Sequence, residues 1–296
     1  MKPFFSFVGL ALAVVLASDL AATSATTEEA VVAERRAAES AKANVFFDRV
    51  FDASVDRSPI SQGYLGLKKD HDKWDDFSEA NQLAELAITV RELAELQRSI
   101  NFDLLDEQAQ MSYRLFVTQA EQTIEGWKWR NHGYVFNQMD GMHADAAAFL
   151  INFHAVDNID DARAYVTRLR AMPAMFDQLM ARAGAQAARG ILPPRFVYPM
   201  LVESCREILS GAPFEEEETK SALWEDFGGK VSALKEVDEA AKAQLLAEGK
   251  AALLGSVRPA YEKLIALFAA QEKVATDEDG VWKLPEGEDY YNFSLR

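Results

Sequence analysis

The sequence has a single cysteine, Cys205, in 296 residues, and this scarcity excludes an intramolecular disulfide. A disulfide-dense scaffold is therefore excluded, and stability must come from a packed core, for which a hydrophobic content of 49% is sufficient. Cys205 lies in a segment predicted to be helical, where a buried, inert thiol is expected. No cysteine lies near the N-terminus, so a lipoprotein-type acyl anchor is not expected.

Basic residues are also in deficit. Lys and Arg number 31 against 47 Asp and Glu, which gives a net charge of −16. Such a surface repels nucleic acid and anionic lipid, since both are bound through basic footprints. We therefore expect no nucleic-acid partner, and no membrane partner once the leader is removed. The charge favours cationic or neutral ligands, although it also serves solubility alone.

Familiar catalytic and metal motifs are missing. The chain has no HExxH, HxH or Cys/His cluster, no Walker loop, no GxGxxG and no GxSxG. Three of the four histidines, His132, His143 and His154, are spaced by eleven residues. On one helix each step would separate them by roughly 16 Å, too far to share a metal ion. We expect no cofactor, no metal ligand and no catalytic residue within this chain.

The first 25 residues resemble a secretory signal. Lys2 supplies a positive start, Phe4 to Ala17 is apolar, and small residues offer cleavage points near Ala17, Ala22 or Ala25. The apolar run is shorter than the about 20 residues of a membrane span, so a retained anchor is the weaker alternative. We expect a periplasmic or secreted protein, with residues 26–296 as a single helical domain.

Helical periodicity extends along this domain, and strand signals are almost absent, which predicts an all-α protein of roughly nine or ten helices. Ser78 is expected to cap a helix with its apolar stripe at Leu83 and Val90. Gly280–Pro285 is the one candidate for a short extended piece. Further helices are predicted over 28–57, 106–128, 142–155, 160–172, 173–188 and 195–210, from Glu215 onward, and around 257–268.

Two segments carry side chains unusual for helical connections. Asn137, Gln138, Asp140 and His143 place amides, an acid and an imidazole close together. Asp140 and His143, three apart, could meet as an acid–base pair, although a structural hydrogen bond is the simpler interpretation. The segment as a whole fits an inter-helix loop that satisfies backbone groups. Arg189, at a predicted helix end, could hold a carboxylate bidentately or cap its own helix.

At these segments the chain resembles a known family, the bacterial domain-of-unknown-function 885 family, over the N-terminal half of its members. The resemblance runs in order over nearly the whole mature chain, and no single motif decides it. The segments that carry it are Ser58-Pro59 to Leu67, 71–78, Asn137-Gln138 to His143, 165–173, Arg189-Gly190-Ile191-Leu192-Pro193-Pro194, Pro259-Ala260-Tyr261 and 280–285.

The resemblance implies half of a larger helical, zinc-metallopeptidase-like fold. Family members are commonly about twice as long and carry an HExxxGHxxQ element in their C-terminal half, and no such element occurs here. Zinc is therefore expected only together with that half, which could also be a separate chain and partner. The implied role is one wall of a cleft for a peptide substrate. Its candidate lining residues are Asn137, Gln138, Asp140, His143 and Arg189.

Three functional hypotheses follow. The first is an exported substrate-cleft half, inactive alone and truncated at Arg296, because the aromatic run from Tyr290 ends without a polar tail. The second is a stand-alone periplasmic helical binding or scaffold protein. The third is an independent enzyme that uses Asp140 and His143.

Overall fold

The helix-forming stretches of the sequence follow one another closely, and the structure, a computed structural model, describes them over residues 8–278 and 280–296. From residue 8 to residue 28 it describes the backbone alone. The predicted signal peptide, residues 1–25, lies outside the residues described with side chains, and its first seven residues lie outside the described residues altogether. Its cleavage site stays a prediction.

The described residues form α-helices, which confirms the predicted all-α class with about ten helices. Apart from one isolated bridge between Ala212 and Lys220, these residues contain no strand. A π-helical segment, Leu253–Val257, joins the ninth helix to the tenth. The bounds are α1 Val8–Asp56, α2 Pro59–Tyr64, α3 Glu79–Ser99, α4 Glu107–Gly126, α5 Met142–Phe153, α6 Ile159–Ala187, α7 Val197–Ile208, α8 Ala222–Ala233, α9 Glu239–Ala252, α10 Arg258–Glu272 and α11 Gly287–Ser294.

The chain divides into two compact units. Unit 1 comprises the described residues up to Phe51 together with Ile88–Thr123, and unit 2 comprises Asp52–Ala87 and Ile124–Arg296. Helices α1, α3 and α4 contribute residues to both units. Among the described residues, none of the helices is long and apolar enough to span a membrane.

Unit 1 is held by a small apolar cluster and by an ion pair between two of its helices. The ring of Phe46 meets that of Phe116 edge to face at 5.5 Å, an arrangement that aromatic pairs prefer. On the surface, Arg49 binds Glu95 at 2.6 Å. The buried members of the cluster are Ala43, Phe46, Leu96, Ile100, Leu105 and Ala109.

Unit 2 is organised around α6, the 29-residue helix at its centre. The side chain of Asn158 caps the start of α6 by accepting from the amides of Asp160 and Asp161. Helices α5, α8, α9 and α10 all contact α6. Pro173 lies inside this helix, so the predicted division into two helices at residue 173 was wrong. The fully buried Met172 and Phe176 on either side show that packing outweighs the hydrogen bond that proline removes.

The predicted helix beginning at Glu215 was also wrong. Residues 213–219 form a loop, and the next helix, α8, begins only at Ala222, capped by the side chain of Ser221. The loop is closed at its base, where the amide of Ala212 donates to Thr219 and that of Ser221 donates to Ala212. The backbone hydrogen bonds that close the loop therefore prevail over the acidic composition, which by itself favours the start of a helix.

Two smaller predictions also differ from the structure. Leu83 and Val90 of the predicted α3 stripe stay half-exposed, and the buried leucines of this helix are Leu93 and Leu96. The segment 280–285 contains a short 3₁₀ helix, Val281–Lys283, in place of an extended piece. Both differences arise because exposure and local conformation depend on which elements pack nearby, and the local sequence does not specify those neighbours.

Two helical glycines in unit 2 should respond to alanine with opposite signs. A Cβ on Gly249 of α9 would lie 2.4 Å from the buried ring of Phe227, whereas one on Gly228 of α8 would meet nothing within 4 Å. We expect Gly228→Ala to stabilise the protein by about 0.5–1 kcal/mol through helix propensity. Gly249→Ala should destabilise it by about 1–2 kcal/mol through overpacking. Thermal unfolding followed by circular dichroism measures both, and a raised midpoint for Gly249→Ala would contradict this packing.

Candidate functional site

The predicted segment 137–143 is built mainly as a structural turn. The side-chain oxygen of Asn137 accepts from the amides of Met139 and Asp140, at 2.7 and 3.1 Å, and its amide group donates to the Asp140 carboxylate. Gln138 and Asp140 are exposed. Short polar side chains that bind nearby backbone in this way stabilise turns. The hydrogen-bonding capacity of Asn137 is therefore largely committed to the turn itself.

Asp140 and His143 do not form the helical pair considered from the sequence. Helix α5 begins at Met142, so Asp140 precedes it, and Gly141 lies between them with φ +132°, a conformation that glycine alone adopts easily. His143 is buried between the rings of Phe136 and Phe268. Burial lowers the pKa of His143, which keeps the imidazole neutral.

Arg189 lies elsewhere, at the mouth of a pocket beside the C-terminal end of α6. This helix presents Gln178, Ala181, Arg182 and Ala185 to the pocket, at spacings that place them on one face. The small alanine side chains leave a cavity of about 250 Å³ between the longer polar ones. The first turn of α3 and residues 130–131 complete the lining.

The walls of this pocket are tied together by hydrogen bonds to α6. The side-chain oxygen of Gln178 accepts from the amide of Phe77 at 2.8 Å, just before α3. The amide group of Gln186 donates to the carbonyls of Asn131 and Gly133, at 3.0 and 2.8 Å. Both chain segments that face α6 are therefore fixed to it, so the pocket is preformed. Binding sites of small ligands are commonly preformed in this way.

Three guanidinium groups, those of Arg130, Arg182 and Arg189, line the pocket with a single carboxylate, Glu79. Arg130 lies 3.7 Å from Glu79 and donates to the carbonyl of Trp127 at 3.1 Å. The Nε atom of Arg130 is buried and has no partner within the described chain. Burial lowers the pKa of Arg182, and the Glu79 carboxylate acts in the opposite direction. We name these four residues and the cavity they enclose the arginine pocket.

A second polar cluster lies deep in unit 2. The guanidinium of Arg168, fully buried, donates to the carbonyl of Lys73 at 2.9 Å and to Nδ1 of His154 at 3.0 Å. The ring of His154 stacks on that of His71 with centroids 3.7 Å apart. Nε2 of His71 bonds the carbonyl of Ala155, and Nε2 of His154 bonds the carbonyl of Asp161. These contacts hold the segment after α2 against α6, which is a structural role.

A wider groove of about 750 Å³ runs between the loop before α6 and the loop before α9. Its lining, residues 156–160 and 233–237, includes Asp157, Asp160, Lys235 and Glu236. Lys68 already neutralises Asp157 at 2.6 Å. Charges of both signs on two loops give this groove no convergent set of polar groups, so the arginine pocket is the better candidate site.

The single thiol is not part of a site. Cys205 is buried in α7, and burial raises its pKa to about 12, so its thiolate is absent at neutral pH. We expect no reaction of the native protein with Ellman's reagent over an hour, and one equivalent of reaction after unfolding in urea. Rapid reaction of the native protein would contradict the packing of α7.

The sequence pattern of a bacterial family, described as "Bacterial protein of unknown function (DUF885)", matches residues 59–296. The chain belongs to the DUF885 family. The match includes every residue of the arginine pocket and all five lining residues expected from the resemblance. None of the curated proteins matches the chain.

Two solved structures share features of this DUF885 chain. A "putative lipoprotein" from Colwellia psychrerythraea superposes with a TM-score of 0.76 at 16% identity, over 87% of this chain and 46% of that one. A "putative lipoprotein of unknown function" from Shewanella oneidensis gives a TM-score of 0.49 at 18% identity, over 78% and 37%. The first likeness shows a shared fold. The chain spans less than half the length of the solved structures it matches.

The zinc ion that the resemblance implies is expected only together with a C-terminal half, not at residues of this DUF885 chain. Within residues 8–278 and 280–296, no group of three or more His, Cys, Asp and Glu side chains converges as metal ligands would. The two stacked histidines bind carbonyls and Arg168 instead. No step through a metal is therefore derived from this chain.

Of the pocket residues, sequence reasoning found only Arg189. Arg182 was missed, although a signal was present: Gln178, Ala181, Arg182 and Ala185 share one helical face on which two small residues accompany long polar ones. Arg130 had no comparable signal. It reaches the pocket because the chain turns after Trp127–Trp129, and only the tertiary structure reveals that turn.

Proposed function

We propose that this DUF885 protein is the substrate-binding half of an exported, peptidase-like protein, and that it is inactive alone. The observation that carries the proposal is the arginine pocket, a preformed polar cavity within the family-matched region. Binding pockets combine a concave shape with a few fixed polar groups, and this cavity has both. Asn137, Gln138, Asp140 and His143 remain proposed as lining residues of the substrate cleft, apart from the arginine pocket.

The catalytic element belongs, in this proposal, to a C-terminal half that this sequence does not include. The Colwellia psychrerythraea structure supports the proposal, because this chain aligns with only 46% of it. A separate chain that carries the zinc element would be the natural partner. Zinc would then be a cofactor of the combined protein.

Export is proposed from the leader-like residues 1–25 and from the description of the Colwellia psychrerythraea neighbour as a putative lipoprotein. We therefore propose a periplasmic or secreted protein. Cell fractionation, with mass spectrometry of the mature N-terminus, tests this: an uncleaved chain in the cytoplasm would contradict it.

Peptide retention tests the binding role. The purified chain is mixed with a tryptic digest of casein and separated by ultrafiltration, and the retained peptides are identified by mass spectrometry. We expect retention without cleavage. Cleavage that a chelator abolishes would overturn the proposal of an inactive half, and the absence of any retained peptide would overturn the binding role. Cleavage that the Asp140→Asn variant abolishes would instead support an enzyme that uses Asp140 and His143.

A further inference from the structure

The arginine pocket carries a surplus of positive charge, although the protein as a whole is negatively charged. The chain as a whole has a net charge of −16, yet the pocket sets three guanidinium groups against one carboxylate. Guanidinium groups that converge on a small cavity repel one another, and the repulsion grows as water is excluded. Such an arrangement becomes favourable when an anion is bound between the groups.

The donors of the pocket are also incompletely used. Within the described residues, the guanidinium groups of Arg182 and Arg189 make no hydrogen bond or ion pair, and Nε of Arg130 has no partner. Each guanidinium offers five N–H donors in a planar fork that matches two oxygens of an acid group. Arg182 is partly buried, and its unused donors are still accessible to water or to a ligand.

We propose that the arginine pocket binds the carboxylate group of a ligand, held by Arg182 and Arg189 with Arg130 beside them. The proposal rests on the proposed function only in taking that ligand to be a peptide. A cavity of about 250 Å³ lies below the usual size of a pocket for a whole small molecule, so it suits one acidic group of a larger ligand.

A carboxylate fits the pocket better than a phosphate dianion. Glu79 already places one carboxylate 3.7 Å from Arg130 and contributes a negative charge that a dianion would meet. Gln82 and Ser78 also line the pocket, and the side-chain oxygen of Gln82 and the hydroxyl hydrogen of Ser78 suit the amide group that follows a carboxylate in a peptide. The carboxylate could come from the C-terminus of a peptide or from an acidic side chain, and the experiment distinguishes these sources.

Isothermal titration of the full chain with three peptides tests the proposal. The probes are acetyl-Ala-Ala-Ala with a free C-terminus, its C-terminal amide, and acetyl-Ala-Glu-Ala-amide. Inorganic phosphate serves as the fourth ligand. We expect at least one carboxylate-bearing peptide to bind at least tenfold more tightly than the neutral amide and than phosphate. The preferred peptide identifies the source of the carboxylate.

Matched variants locate the binding site. Arg182→Gln and Arg189→Gln should each weaken binding of the preferred peptide by about tenfold to a hundredfold, as expected for loss of a charge-assisted hydrogen bond. Arg170→Gln is the control, since Arg170 lies exposed on the same helix and its loss changes the net charge equally. It should alter binding less than twofold. Arg189 is exposed, so its variant tests the pocket even if Arg182→Gln unfolds.

The outcomes separate this inference from the proposed function. Equal binding of acid and amide peptides, tighter binding of phosphate, or equal effects of Arg189→Gln and Arg170→Gln would overturn the carboxylate pocket and leave peptide binding in place. If no peptide binds but succinate binds with the same dependence on Arg182 and Arg189, the carboxylate pocket stands and the peptide-binding role fails.

Discussion

Replacing Arg168 by methionine is expected to lower the free energy of unfolding by roughly 3–4 kcal/mol. The guanidinium of Arg168 is fully buried and donates to the carbonyls of Lys73 and Pro59 and to Nδ1 of His154. Methionine cannot donate, so these acceptors would be left buried without a partner. The side chain also packs against the ring of Phe149, 4.7 Å from its centroid, and methionine fills less of that space.

Urea unfolding and thermal unfolding, both followed by circular dichroism, measure this loss. A destabilisation of this size should lower the thermal midpoint by about 10 °C in a protein of this length. Arg170→Met is the matched control, because it makes the same change two residues away on the exposed face of α6. The free energies of unfolding of Arg168→Met and Arg170→Met should differ by most of the loss predicted for Arg168→Met. If Arg168→Met melts within about 2 °C of Arg170→Met, the structural role assigned to Arg168 is wrong.

The second large effect is expected in acid. The pKa of His154 is lowered to about 3 by burial first and then by the neighbouring His71, Arg168 and Lys230. Hydrogen bonding agrees with a neutral ring, since Nδ1 accepts from Arg168 and Nε2 donates to the carbonyl of Asp161. A proton on Nδ1 would point at a donor.

The sign of the effect follows from these pKa values. Histidine in the unfolded chain is protonated near pH 6.5, whereas His154 in the folded chain is protonated only near pH 3. The contribution of the neutral His154 ring to the free energy of unfolding is therefore complete above pH 6.5. It is lost progressively as the pH falls through this window. At pH 4.5 the loss from His154 alone is about 3 kcal/mol, two pH units at 1.36 kcal/mol each. His71, whose pKa burial also lowers, adds to it in the same direction.

A His154→Asn variant separates this effect from general acid unfolding. Asparagine keeps an acceptor for Arg168 but does not titrate, so the variant should be less stable at pH 7.5 and lose less stability between pH 6.5 and 4.5. His132→Asn serves as the control, since His132 lies near the surface and bonds the carbonyl of Pro285. Urea midpoints across this pH range provide the measurement. Parallel pH profiles for wild type and His154→Asn would contradict the proposed origin of the acid sensitivity.

Much of the fold could be predicted from local sequence, and the errors share a cause. The stripe at Tyr261, Leu264 and Phe268 predicted α10, and all three side chains are buried there. The division at Pro173 and the helix at Glu215 were wrong because both predictions weighed local propensity alone. Pro173 is tolerated within a buried helix, and the acidic run is held in a loop by backbone pairing at its base.

The C-terminal run illustrates how a local pattern gains meaning from its neighbours. The segment that lacks a polar tail forms α11, and Tyr290 packs beside Trp129 and His132 at 5.8 and 4.8 Å. Arg296 pairs with Glu125 at 3.1 Å. Tyr291 and Leu295 of the same run remain exposed. Its aromatic residues thus divide between packing within unit 2 and contact with solvent.

The sequence by itself determined the all-α class, membership in the DUF885 family, the isolation of the single thiol, and Arg189 as a candidate contact. These properties depend on periodicity, composition and ordered motifs, which are local or additive. Only the tertiary structure decided that Arg130 and Arg182 join Arg189 in one pocket, and that Arg168 is buried against His154. The groups in contact come from segments far apart along the chain, 109 residues for the Arg168 guanidinium and the carbonyl of Pro59. Contacts over such separations are set by how the helices pack, and no local pattern encodes them.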